Sequence, residues 1–318
     1  MDHTEFNDRV SSLSEGSYAG LPIASAPEED DDEELPAAGE VAWRMGVETY
    51  DAEESFEEQF ARFVEKVDTA AVKAIIIGGW EEAYENDSST IVRLLADNAG
   101  RFPALRSLFL GAMQGEECEI SWIRQSDITP LLEAFPLLER LEIRGGSDLG
   151  LRPVRHGNLK VLRFETGGLP AGVVRAVGAC DLPALEYLEL WLGISDYGGD
   201  ATVADLAGIL SGERLPALRH LGLQDSEIQD EIAAAVAAAP IVTRLESLSL
   251  SMGSLTDEGA EALLSGQPLT HLKRLDLHHH YLSDALVERV RKALPEAEID
   301  LSDQEDIRND WRYVAVSE

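Results

Sequence analysis

Along the second half of the chain, apolar positions return in one fixed arrangement, L-x-x-L-x-L. It falls on Leu218, Leu221 and Leu223, then on Leu245, Leu248 and Leu250, then on Leu272, Leu275 and Leu277, at a constant step of 27 residues. Other columns keep the same phase: Ile228, Leu255 and Leu282, and Asp230, Asp257 and Asp284. The alternation closing each motif predicts a short half-buried strand, with Leu221 and Leu223 on one side and His220, Gly222 and Gln224 on the other. A turn follows, then an Asp suited to the unpaired N–H groups of a first helical turn. Each unit therefore reads as strand, turn, helix. None can bury its apolar side alone, so neighbours must stack around a continuous core.

The same motif runs upstream with less regular spacing. It starts at Val72, Leu105, Leu138, Leu159, Leu185 and Leu218, in steps of 33, 33, 21, 26 and 33 residues. The long steps place extra residues after the strand, near 79–88, 112–127 and 192–200. The short step, rich in glycine, predicts a unit without a full helix. Before the repeats, Val41 to Val47 alternates as a strand. Phe56, Phe60, Phe63 and Val64 then follow at helical spacing behind Asp51. The organisation expected is an acidic, weakly structured segment at 1–40 and a strand–helix cap at 41–71. Repeats follow at 72–301, and then a tail at 302–318 with a possible edge strand at Tyr313–Val316.

The in-phase leucines resemble the leucine-rich repeats, in a long form similar to that of the ribonuclease inhibitors. The stretches Trp43–Glu54, Glu117–Asp127 and Trp311–Glu318 are also similar to a bacterial family of such proteins with no assigned activity. The resemblance implies an α/β fold, a right-handed αβ solenoid, with parallel strands on a concave face and helices on a convex one. It carries no catalytic residues. One departure stands out. Leucine-rich repeats usually place Asn or Cys three residues after the last strand leucine, where this chain has Trp80, Met113, Gly146, Gly167, Gly193, Ser226, Gly253 and His280. The turns must close by other means.

Charge narrows the partner. The formal net charge of −34 disfavours a phosphate backbone as ligand, so nucleic acid is not expected. It favours encounter with a cationic protein or peptide. Glu28 to Glu34 is an unbroken acidic run that reads as a mobile linker or tip. Two cysteines without a C-x-x-C pair suit a reducing cytoplasm. Neither a signal peptide nor a membrane span is expected.

Outward strand positions give one candidate surface: Arg140, Glu142, Arg144, Arg163, Glu165, Tyr187, Glu189, Trp191 and His220. Arginines and aromatics are enriched at binding hot spots; the same charges could equally form a cross-strand ion ladder. The inserted loops offer a second surface: Trp80, Tyr84, Glu117, Trp122, Asp196 and Tyr197. Trp122, in the alternating run Ile120–Ile123, reads as covering the core beneath its loop. His278-His279-His280 is best read as ending an exposed strand. Adjacent strand residues face opposite ways, so at most His278 and His280 could share an ion, with Asp276 or Asp303. No metal site or cofactor is expected. No catalytic motif is present. The expected function is a non-catalytic scaffold that binds a cytoplasmic protein or basic peptide. The alternative is an enzyme or small-ligand binder with its site between loops 112–127 and 192–200.

Overall fold

A computed structural model describes residues 16–29, 34–306 and 311–318. The centre of the acidic run, 30–33, and the first 15 residues lie outside the described part. The chain divides into two compact units, residues 1–150 and residues 151–318.

The first unit holds strands β1 (Ser17–Tyr18), β2 (Leu21–Ser25), β3 (Ala42–Met45), β4 (Ala74–Ile77), β5 (Ser107–Leu110) and β6 (Arg140–Arg144). β1 turns back antiparallel on β2. From β2 onward each strand pairs parallel with the next. Helices α1 (Phe56–Lys66), α2 (Ser89–Asp97) and α3 (Thr129–Ala134) stack in the same order. α1 starts at Ser55, not at Asp51. Ser55 accepts the Glu58 N–H while the Glu58 carboxylate accepts the Ser55 N–H, a reciprocal cap. Its aromatic stripe is core: Phe56, Phe60 and Phe63 are buried, and Phe63 packs edge-on against Trp43 at 5.5 Å.

The second unit continues the pattern with β7 (Val161–Glu165), β8 (Tyr187–Gly193), β9 (His220–Ser226), β10 (Ser247–Ser249), β11 (Arg274–Asp276) and β12 (Glu298–Asp300), all parallel. Helices α4 (Ala171–Ala179), α5 (Ala207–Ser211), α6 (Gln229–Ala237), α7 (Asp257–Ser265) and α8 (Asp284–Ala293) alternate with them. Leu221, Leu248 and Leu275 stand in register, and each is wholly buried. The expected leucine column is there, and the fold is an αβ solenoid. The segment from 145 to 160 contains no helix, in keeping with its short step.

The Asp column sits in the first helical turns, as expected, and has a second task. It ties each repeat to the next. Asp230 accepts hydrogen bonds from the Thr256 N–H (2.7 Å), the Thr256 hydroxyl (2.6 Å) and the Gly259 N–H (3.2 Å). Asp257 accepts the Ser283 N–H at 2.7 Å. Asp284 accepts from the Gln304 amide at 3.2 Å. Each carboxylate thus holds the turn or segment that follows in the stack, and for Asp230 and Asp257 its charge also complements the next helix start.

The turns close without the usual asparagine. The Trp80 indole N–H donates to Asn86 O (2.9 Å), and the Ser226 hydroxyl accepts the Ile228 N–H (3.3 Å). His280 accepts the Leu282 N–H on Nδ1 (3.1 Å) and reaches Leu301 O with Nε2 (3.3 Å). Gly193 needs its φ of +67° and has no space for a side chain, since a Cβ would sit 1.9 Å from Gly167 O.

Candidate binding surface

The outward strand side of the first unit is not open. Its apolar positions Ala42, Ala74, Ile76 and Phe109 form a buried cluster under Tyr18 of the β1–β2 hairpin, with Leu21 and Ile23 packed against it. The Tyr18 ring lies 6.2 Å from Phe109, and the Arg140 guanidinium sits 5.5 Å over Tyr18. Arg140 and Glu142 are both buried and pair at 3.1 Å, while Arg144 is half-buried. Nothing in the leucine spacing announces this cover, because Tyr18 lies outside the repeat.

In the second unit the corresponding residues gather around Glu189. Arg163 donates to Glu189 through Nε at 2.8 Å and approaches Glu165 through Nη2 at 3.0 Å. The Trp191 indole N–H donates to Glu189 at 3.0 Å, and the Tyr187 hydroxyl donates to its other oxygen. The His220 ring stacks on Tyr187 at 4.0 Å and 7°, with Nε2 4.0 Å from Glu189 and Nδ1 3.0 Å from the Ser247 hydroxyl. Burial pushes the Glu189 carboxyl up, but Arg163, His220 and the two hydrogen-bonding rings outweigh it and hold the group below its ordinary value. Arg163 also lies 5.5 Å over the Trp191 ring. The ion-ladder reading of these residues describes what is seen. Glu165, Tyr187, Glu189 and His220 are buried, and only Arg163 and Trp191 keep partial exposure.

The edge loops separate into supports and exposed groups. Trp80 is 2% exposed and fixes its own loop. Glu117 is held by Arg44 at 3.0 Å and by the Gln114 N–H at 2.8 Å, so it braces the loop at 112–127. Trp122 corrects its expected role: it does not cover the core but is 55% exposed. Tyr84 stacks on Tyr50, ring centroids 5.2 Å apart at 23°, and Tyr50 is 54% exposed. Partial burial and then the charges of Glu82 and Glu85, with Tyr50 and Asp51 behind them, raise the Tyr84 phenol above its usual range. The two loops adjoin, since Arg124 N–H donates to Ala83 O and its guanidinium to Glu85 O, both in Tyr84's loop. Tyr50 was missed by sequence reasoning, because its loop read as the lead-in to α1.

In the second unit Asp196 is exposed, and the Tyr197 hydroxyl donates to Glu318 of the chain's own tail. That tail, 311–318, contains no strand among its described residues and instead crosses the strand ends. The Tyr313 N–H donates to the Tyr281 hydroxyl (2.8 Å), Ala315 N–H to Met252 O (2.7 Å) and Val316 N–H to Asp225 (2.9 Å). Asp225 is fully buried, and that burial pushes its carboxyl up to about 8 despite the backbone bonds it accepts.

Residues 243–264 match the family model described as Leucine Rich repeat. A crystal structure of a Bacteroides fragilis protein, a structural genomics target, is 33% identical. The match covers 87% of this chain and 78% of that one, at a TM-score of 0.78. The chain belongs to the leucine-rich-repeat family. A leucine-rich-repeat protein of Leptospira interrogans also matches, at 15% identity over 82% of this chain and 61% of that one, with a TM-score of 0.33. No curated protein matches significantly. Leucine-rich-repeat folds commonly mediate protein–protein binding, and the scaffold is typically non-catalytic. Among the described residues no helix is long and apolar enough to cross a membrane.

Proposed function

We propose that this protein is a non-catalytic scaffold whose edge loops in the first unit hold a basic peptide or the basic segment of a cytoplasmic protein. The observation that carries the reading is the stacked pair of an exposed Tyr50 and a half-buried Tyr84 beside Glu82, Glu85 and Asp51. Aromatic faces attract Lys and Arg side chains, and surrounding carboxylates add to that attraction. Trp122, exposed on the adjoining loop, extends the same edge. The strand positions contribute less contact area, because most of their charged groups are turned on one another and buried.

A fluorescent peptide rich in lysine and arginine, titrated against the full chain, tests this. Binding should weaken as salt rises, since exposed charge is screened. Tyr50→Ala and Tyr84→Ala should each weaken it about two- to fivefold, the size of one exposed cation–π contact. Equal affinity for an acidic peptide, or full affinity in both variants, would refute the proposal.

A further inference from the structure

At the far end of the second unit three potential ligands meet on the outward side of the sheet. Asp276 and His278 are two residues apart, so they share a face. Asp300, on β12, is the register partner of Asp276. One nitrogen of His278 and one oxygen of each Asp all lie within 4.8 Å of one another. We propose that Asp276, His278 and Asp300 bind a divalent transition-metal ion.

Four observations support the site. His278 Nδ1 and Asp276 Oδ1 are 2.8 Å apart, joined by a hydrogen bond that a bound ion would replace. That distance is close to the spacing of about 3 Å between neighbouring ligands around an ion bonded at about 2.1 Å. Second, carboxylates directly opposite on adjacent strands repel; Asp276 pairs with His278 at 2.8 Å, but among the described residues no Lys or Arg forms an ion pair with either carboxylate. A bound cation removes that repulsion. Third, both carboxylates are already oriented by groups outside the trio. The Ser249 hydroxyl donates to Asp276 at 3.0 Å, and the Ser302 N–H and hydroxyl donate to Asp300 at 3.0 and 2.7 Å. Such outer hydrogen bonds fix ligand geometry at metal sites. Fourth, all three side chains are only partly buried, so an ion can reach them and water can complete its shell.

The neighbouring histidines stand apart from the trio. His279 turns at a φ of +52° and bonds to Tyr313 O at 3.0 Å, and His280 is fully buried in its turn. The donor set is therefore one imidazole and two carboxylates. That mixture fits borderline ions such as Zn2+ or Mn2+, whereas Ca2+ and Mg2+ prefer oxygen alone.

The test uses the chelator-treated full chain, titrated with Zn2+ by calorimetry and followed by the histidine ring resonances. One site of micromolar affinity should appear, with the His278 ring shifting at the first equivalent among the seven histidines. His278→Ala and Asp300→Asn should each weaken that site at least about tenfold while leaving the far-ultraviolet circular dichroism unchanged. The wild-type ring shifts decide the matter if either variant fails to fold. A wild-type chain with only millimolar binding, a first equivalent that leaves His278 unmoved, or folded variants that both keep the affinity would overturn the proposal.

Discussion

Glu189 shows how one buried charge is kept ionised. A carboxylate out of water is costly unless it is paired and hydrogen-bonded. Here Arg163, Trp191 and Tyr187 all donate to it. Glu189→Gln keeps the volume and removes the charge, so the partly buried Arg163 loses one of its carboxylate partners while Glu165 remains. It should destabilise the chain by about 3 kcal/mol at pH 7 in urea unfolding. The folded carboxyl titrates below its unfolded value of about 4.3, so its stabilisation is present above that pH and is lost as pH falls through the folded value. The gap between wild type and variant should therefore narrow below about pH 4. A gap that is unchanged there would show that charge is not its source.

Asp225 has the opposite sign. Its folded carboxyl titrates at about 8, far above an unfolded Asp. Between about pH 4 and pH 8 the unfolded chain has released this proton and the folded chain retains it, so rising pH favours unfolding. Asp225→Asn can still accept the Val316 N–H, and Asn tolerates the left-handed backbone at φ +55°. Relative to wild type, the variant should gain melting temperature from pH 5 to pH 8. Parallel melting curves across that range would disprove the assignment.

At the scale of elements, the β1–β2 hairpin turns an outward strand surface into a second small core. Ile76 and Phe109 are wholly buried although they point away from the leucine column. Tyr18→Ala should cost about 3 kcal/mol, as large-to-small changes under a ring do. It should also raise binding of a hydrophobic dye, because Phe109 loses its cover. Denaturant midpoints matching wild type would mean the hairpin is not packed as described. The hairpin was only partly legible. Leu21 to Ala24 alternates too little to distinguish a strand from a loop, and the Tyr18 contact joins residues far apart in sequence.

At the scale of the molecule, what repeats was legible and what does not repeat was not. Leucines at matched offsets placed the strands from β4 onward, and their register followed, because a slip of one residue would move every leucine to the wrong face. The candidate surface was read less well for the same reason. Period-two alternation marks a side chain as outward but cannot say whether it meets solvent. Glu189 and His220 are outward and buried, whereas Trp122, in an alternating run, is exposed. Burial there depends on partners supplied by neighbouring repeats and by segments outside the repeat.

The terminal tail has a consequence for cooperativity. In a linear stack each module senses only its immediate neighbours, so melting can creep inward from an end. Residues 313–318 instead fasten the turns after β11, β10 and β8, and the end of β9, to one peptide. Fraying the last module should therefore strain bonds several modules away, and this end of the molecule is expected to open as a single block.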